Sequence, residues 1–156
     1  MQKRNLGKSM KVSSVGLGCM GITHASGTPL TKAEGMKVLE SALEIGYNFF
    51  DTAECYTGTN PDGTVAYNEE VVGAVLKPVR NKVILASKCG VTHGKDHLIM
   101  DSRPQSIRKA LEGSLKRLGT DYIDLYYQHR IDPKVEPEEV AGTMSDLMKE
   151  GKIKQG

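Results

Sequence analysis

Four residues stand out by where they fall in the chain. Asp51 closes the aromatic run Tyr47-Asn48-Phe49-Phe50, Lys88 closes Val83-Ile84-Leu85-Ala86-Ser87, and His129 closes Tyr122-Ile123-Asp124-Leu125-Tyr126-Tyr127-Gln128. Tyr56 follows Asp51 by five residues. An apolar strand needs no ionisable group at its end, yet three in succession carry one. If these strands are parallel neighbours, their C-terminal ends lie about 4.8 Å apart and long polar side chains there converge. That edge is where open α/β sheets and α/β barrels place ligands. The chemistry of such a set is specific. An ammonium beside a phenol stabilises the phenolate and lowers the phenol pKa from about 10. A carboxylate keeps that ammonium charged and in place, and an imidazole can orient a carbonyl oxygen. Together they make a proton-donating site for carbonyl reduction. Taken singly, each has a plainer reading: a turn-capping Asp51, a snorkelling Lys88, a packed His129, a loop Tyr56. The set, not any one member, points to chemistry.

Positioning these groups requires strands alternating with helices, and the pattern supplies them. Val12 to Gly18 reads as extended, preceded by a short hairpin around Leu6-Gly7-Lys8. Thr31 to Ile45 reads as a helix, with Thr31 and Glu34 as a capping box and Gly46 as its stop. Tyr47 to Asp51 is a strand, and Asn68 to Val79 a helix with Glu69 and Glu70 in its first turn. Val83 to Lys88 has the continuous apolar character of a strand buried on both faces. Ser102 to Leu118 is a helix, with Ser102 and Gln105 at capping-box spacing and Gly119 after it. Tyr122 to His129 is a strand, Pro137 to Glu150 a helix, and Lys152-Ile153-Lys154 the opening of a further strand. Strands begin near residues 15, 47, 83 and 122. That βα repeat predicts parallel strands with right-handed crossovers, an α/β fold with residues 1–156 as one domain.

Composition narrows the class. The 156 residues are 38% hydrophobic and 26% charged with a net charge of +2, ordinary for a globular chain and too little charge to predict nucleic acid as a partner. No apolar run reaches the roughly 18 residues of a membrane span, and no apolar stretch follows Met1-Gln2-Lys3-Arg4, so the expectation is a cytoplasmic protein without membrane contact. Three cysteines without a CxxC pair fit a reducing compartment. Gly16-Leu17-Gly18-Cys19-Met20-Gly21 satisfies GxGxxG, but the fingerprint needs a helix to open at once, and about a dozen loop-like residues intervene. His93 and His97 are spaced i, i+4, but they lie in loop-like sequence without a zinc-type ligand set; no metal is expected. Cys55 and Cys89 are either packing residues or redox-sensitive thiols. A five-stranded flavodoxin-like sheet and a non-catalytic half-barrel that binds a partner remain as alternatives.

Several long segments resemble the aldo-keto reductases: RNLGKSMKVSSVGLGCMG, GYNFFDTAECY, NEEVVGAVLK, VILASKCG, SLKRLGTDYIDLYYQHRID and EEVAGTMSDLMKEGKIK, in the family's order across nearly the whole chain. The resemblance implies an (α/β)8 barrel of TIM type, of which about the first four βα units are present, since a complete barrel runs to about 250 residues. It implies reversible hydride transfer between nicotinamide and an aldehyde or ketone, with NADPH, or NADH in its place, as cofactor. Asp51, Tyr56, Lys88 and His129 match the family's catalytic tetrad, with Tyr56 the general acid and Tyr56 and His129 facing the substrate. Cys19, Met20 and Gly21, with Asp51, would approach the cofactor. The family's phosphate and adenine contacts lie in a second half that this sequence does not contain, and only Gln155 separates Lys154 from Gly156 where the family usually carries two residues. A half-barrel would leave Leu125, Tyr127 and Ala86 on an open inner face, so the expectation is either a truncated piece of a full barrel or a chain that self-associates over its open edges.

Overall fold

The computed structural model describes residues 1–8, 10–25 and 27–156. β1 (Lys3–Leu6) and β2 (Met10–Ser13) form the expected antiparallel hairpin. The main sheet contains β3 (Leu17–Gly18), β4 (Phe49–Asp51), β7 (Ile84–Cys89), β10 (Ile123–Gln128) and β11 (Ile153–Gln155), joined in that spatial order, and every pairing is parallel. The order never reverses, so the sheet has no switch point of the doubly wound kind, and the flavodoxin-like alternative is excluded. Helices α1 (Lys32–Glu44), α2 (Asn68–Leu76), α3 (Pro104–Leu118) and α4 (Pro137–Lys149) fill the crossovers. Leu39, Val72, Leu111 and Leu147, one from each helix, share a single core with Phe50, Leu85, Cys89 and Tyr126 of the sheet. All four helices therefore cover the same face, giving the arc of a (β/α) barrel.

The ladder register sorts the other face. Tyr127 pairs with Lys88, Leu125 with Ala86, and Ala86 with Asp51, so these residues point to the inner side of the arc. Tyr127 is 38% exposed there, as expected of an open face, whereas Ala86 is fully covered.

Several elements differ from expectation. The helix opening at Asn68 ends at Leu76 and continues as a 3-10 helix, Lys77–Lys82, in which Val79 leaves helical geometry. Pro78 has no N–H with which to continue the α ladder. Ser102 does not cap α3. Arg103 occupies the cap position and its side chain turns to Asp101 without capping the helix, while Ser102 Oγ accepts from Gln128 Nε2 at 2.8 Å and its N–H donates to Asp132. The predicted loop around His93 is a hairpin, β8 (Val91–His93) with β9 (Leu98–Met100). A second hairpin, β5 (Thr57–Thr59) with β6 (Val65–Tyr67), precedes α2. The Thr31–Glu34 capping box forms, and Gly46 and Gly119 end their helices at φ +98° and +65°. A short 3-10 helix, Met20–Ile22, follows Gly18, so no α-helix opens at the GxGxxG run.

Candidate active site

Lys88 reaches the inner side of the C-terminal edge of β7, where neighbouring strands and one loop close around its ammonium. Nζ donates to Asp51 Oδ1 at 2.5 Å, to the Thr52 carbonyl at 2.8 Å and to the Tyr56 hydroxyl at 3.1 Å. An ammonium has three N–H donors, and here each has an acceptor. Burial alone would push Lys88 toward the neutral amine, but the Asp51 carboxylate and the Tyr56 oxygen outweigh it and raise its pKa above the ordinary lysine value.

Tyr56 is nearly buried, and its backbone is held by side chains from elsewhere. His93 Nε2 meets the Cys55 carbonyl at 2.9 Å, Thr23 Oγ1 donates to the Tyr56 carbonyl at 3.1 Å, and His24 Nδ1 meets the Thr57 carbonyl at 2.8 Å. Because carbonyls only accept, both histidines must be protonated on those nitrogens. The His24 ring stacks on Tyr56 with a 17° interplanar angle, and His93 lies 5.0 Å from His24 between centroids. Asn68, fully buried, ties this loop to the sheet. Its Nδ2 donates to the Cys19 carbonyl and to Thr23 Oγ1, and its Oδ1 accepts from Thr52 Oγ1.

His129 completes the group. Its N–H donates to the Cys89 carbonyl, its ring sits edge-on to Tyr56 at 5.6 Å and 81°, and its Nδ1 lies 3.3 Å from Cys55 Sγ. Burial, then the charges of Lys88 and Arg130, push its pKa below the ordinary histidine value. Asp51, Tyr56, Lys88 and His129 thus meet at one place on the sheet edge. The arrangement can donate a proton from a phenol whose resulting charge faces an ammonium, beside an imidazole that can hold a neighbouring oxygen.

The residues expected near a cofactor divide. Cys19 is 2% exposed, its thiol is turned to the Leu17 carbonyl, and burial pushes that thiol up to about 12. Its main chain is engaged as well, the N–H donating to the Asp51 carbonyl and the carbonyl accepting from Asn68 Nδ2. Met20 and Gly21 are exposed in the same turn, beside Asp51 through the Gly18–Asp51 pairing. A Cβ built on Gly18 would meet no atom within 4 Å, so open space lies over the sheet edge at this point.

Asn68, Thr23, His24, His93 and Cys55 were not singled out by sequence as parts of the site. Their types are unremarkable alone, and only the loop path brings them to Tyr56. Burial pushes the Cys55 thiol up to about 11 and the Cys89 thiol up to about 12, which disfavours the thiolate form of both. Among the described residues no group of three or more His, Cys, Asp or Glu could hold a metal ion, and His93 is engaged with the Cys55 carbonyl. A cleft of about 570 Å³ lies between α2 and α3 on the outer surface, bordered by Lys32, Lys77 and Lys116, away from these residues. No helix among the described residues is long and apolar enough to cross a membrane.

Comparison with known proteins extends the picture. The Aldo/keto reductase family profile matches residues 14–155. The Glycine max protein named probable aldo-keto reductase 1 is 41% identical over 149 residues, covering 94% of this chain and 41% of its own length. The holo form of an aldo-keto reductase from Bacillus halodurans superposes with a TM-score of 0.84 at 35% identity, over 100% of this chain and 49% of that one. A Pseudomonas aeruginosa protein assigned to the aldo-keto reductases gives 0.82 at 30% identity, over 99% and 58% respectively. The chain spans about half the length of the relatives it matches. Because the profile runs through every strand of the parallel sheet, from β3 to β11, and the solved relatives superpose on the whole of it, this chain belongs to the aldo/keto reductase family.

Proposed function

We propose that this chain carries the proton-donating site of a carbonyl oxidoreductase that converts an aldehyde or ketone reversibly to the alcohol, with NADPH as cofactor and NADH able to take its place. The observation that carries the reading is the Lys88 ammonium bridging Asp51 and Tyr56 at a sheet edge, with His129 edge-on to the same phenol ring. When bound, the reduced nicotinamide supplies a hydride, two electrons and one hydrogen, to the carbonyl carbon. Tyr56 gives its hydroxyl proton to the carbonyl oxygen. The negative charge left on the phenol oxygen lies 3.1 Å from Lys88 Nζ, inside a partly buried site where the attraction is stronger than in water. His129 holds the carbonyl oxygen by a hydrogen bond and so fixes which face of the substrate is presented. In the oxidative direction the phenolate takes the proton back. Asp51 keeps Lys88 charged, and with Met20, Gly21 and the open space over Gly18 it borders the place for the nicotinamide end. Three free, buried cysteines suit a reducing, cytoplasmic setting.

The test pairs a fluorescence titration with NADPH and an assay on a simple aromatic aldehyde. Saturable binding and turnover are expected. Tyr56→Phe, which keeps the ring and removes the proton, should lower turnover by about a hundred- to ten-thousand-fold with NADPH affinity unchanged. Undiminished turnover in that variant would remove Tyr56 from its role, and no binding at millimolar NADPH would overturn the reading for this chain.

A further inference from the structure

His129 has two ring nitrogens, and a neutral imidazole carries a proton on only one. For the ring to hold a carbonyl oxygen it must present an N–H, because a lone pair would repel that oxygen. Something must therefore select the tautomer. The Nδ1 side faces Cys55 Sγ at 3.3 Å, within hydrogen-bond reach for sulfur. Two arrangements are open at that contact: Nδ1–H donating to sulfur, or S–H donating to Nδ1. Thiol sulfur is a weak acceptor and an imidazole nitrogen a good one, so the second is the stronger bond. Both groups are in the state it needs at neutral pH. Burial holds the thiol protonated, and burial with the Lys88 and Arg130 charges keeps the imidazole neutral.

We propose that Cys55 is a positioning residue for His129: its S–H donates to Nδ1, fixes the imidazole as the Nε2–H tautomer, and leaves Nε2–H as the donor to the substrate carbonyl oxygen. This rests on the carbonyl-holding role of His129 proposed above. The thiol is well placed for the task. Cys55 is nearly buried in a small cluster with Ala53, Tyr56 and Val91, and its carbonyl is held by His93 Nε2 and by the Thr57 N–H. It is also the residue before Tyr56, so the loop that delivers the proton donor sets the tautomer of the donor's partner. Outer hydrogen bonds that fix a histidine tautomer are a general device where one ring nitrogen must act.

The experiment uses the chain labelled with ¹⁵N-histidine and reads His129 by long-range proton–nitrogen correlation, assigned by its loss in His129→Gln. The native protein should show a protonated Nε2 and an unprotonated Nδ1. Cys55→Val keeps similar bulk and removes the donor. It should lower the ratio of Nε2–H to Nδ1–H tautomers by about five- to tenfold, the scale set by one lost hydrogen bond. Cys55→Ser supplies a hydroxyl donor and should restore the native ratio. A native protein with its proton on Nδ1, or a Cys55→Val variant with the native ratio, would overturn the assignment. This readout needs no turnover, so failure of the reductase reading and failure of the tautomer assignment are separate results. In the active enzyme the same series should lower kcat/KM in Cys55→Val and recover it in Cys55→Ser, with NADPH affinity unchanged in both.

Discussion

At Lys88 two opposing effects meet on one ammonium. Burial favours the neutral amine, while the Asp51 carboxylate at 2.5 Å and the Tyr56 hydroxyl at 3.1 Å favour the charged form and win. Because the folded pKa is raised, the ammonium stays charged from acid through the ordinary lysine range and loses its proton only above it. Carbonyl reduction needs both the Tyr56 proton and the Lys88 charge, and the two groups lie 3.1 Å apart, so the alkaline limb on kcat/KM should belong to the coupled Tyr56–Lys88 pair. Asp51→Asn tests the balance, since it keeps an oxygen acceptor and removes the charge. Burial is then opposed by less, the Lys88 pKa falls, and the alkaline limb should move to lower pH while the rate near neutrality falls less than in Tyr56→Phe. An alkaline limb that stays in place would show that Asp51 does not hold the Lys88 charge.

Among the elements, α2 and α3 meet through a glycine. A Cβ at Gly73 would lie 2.5 Å from the Leu118 carbonyl oxygen and 2.7 Å from its Cα, main-chain atoms at the end of α3 that cannot rotate aside as a side-chain tip could. Alanine would gain about 1 kcal/mol of helix propensity there, but forcing a methyl into a closed contact costs about 1–3 kcal/mol. Gly73→Ala should therefore lower the thermal midpoint. Gly142, within α4, has no atom within 4 Å of a built Cβ, so Gly142→Ala should raise the midpoint by up to about 1 kcal/mol of stability. Circular dichroism melts of both variants decide it, and a stabilising Gly73→Ala would mean that the two helices slide apart at little cost. Elements of this kind were readable where hydrophobic pattern dominates. The run Val83 to Ala86 marks a strand of the sheet, and Asp51 ends β4 as expected, while β7 runs one residue past Lys88 and β10 stops one residue before His129. The sequence was opaque where a polar side chain is spent on a distant partner. Asn68 looked like an ordinary helix start, yet it is fully buried and bonds to Cys19 and Thr23, more than forty residues away. Ser102 has the spacing of a cap, and Gln128 and Asp132 claim it instead. His93, in sequence read as loop, is on a hairpin strand that delivers its ring to the Cys55 carbonyl. Periodicity reports which face is apolar and carries no information about such pairings.

For the molecule as a whole, stability against pH should be shaped by the half-buried carboxyl of Glu54, whose folded surroundings raise its pKa. Glu69 has Arg117 at 2.7 Å and Ser87 at 2.6 Å, and Asp124 has Arg80 at 2.7 Å. Glu54 accepts the Gly90 N–H at 3.0 Å, and the Arg117 charge acts on it without an ion pair among the described residues. Burial pushes it up from 4.5 to about 7; the Gly90 bond lowers it less, and the nearby Glu69 charge adds to the rise. The folded pKa is the higher one, so between pH 4.5 and 7 the unfolded chain releases this proton while the folded chain retains it. Stability from this group is therefore greatest below pH 4.5, falls as pH rises to about 7, and is level above that. Converted at 1.36 kcal/mol per pH unit, the loss is at most about 3 kcal/mol, and solvent at the cleft that Glu54 lines reduces it. His129 acts in the opposite sense over part of the range: its pKa is depressed, so its contribution is present above the ordinary histidine value and is lost as pH falls through the folded one. Glu54→Gln separates the two, because it keeps the oxygen that accepts from Gly90, cannot ionise, and leaves His129 in place. Urea unfolding of both proteins from pH 4 to 8 should give curves that diverge as pH rises, with the variant gaining at most about 3 kcal/mol over the native chain by pH 8. Curves that stay parallel across that range would mean that solvent or a cation at the cleft cancels the rise in the Glu54 pKa.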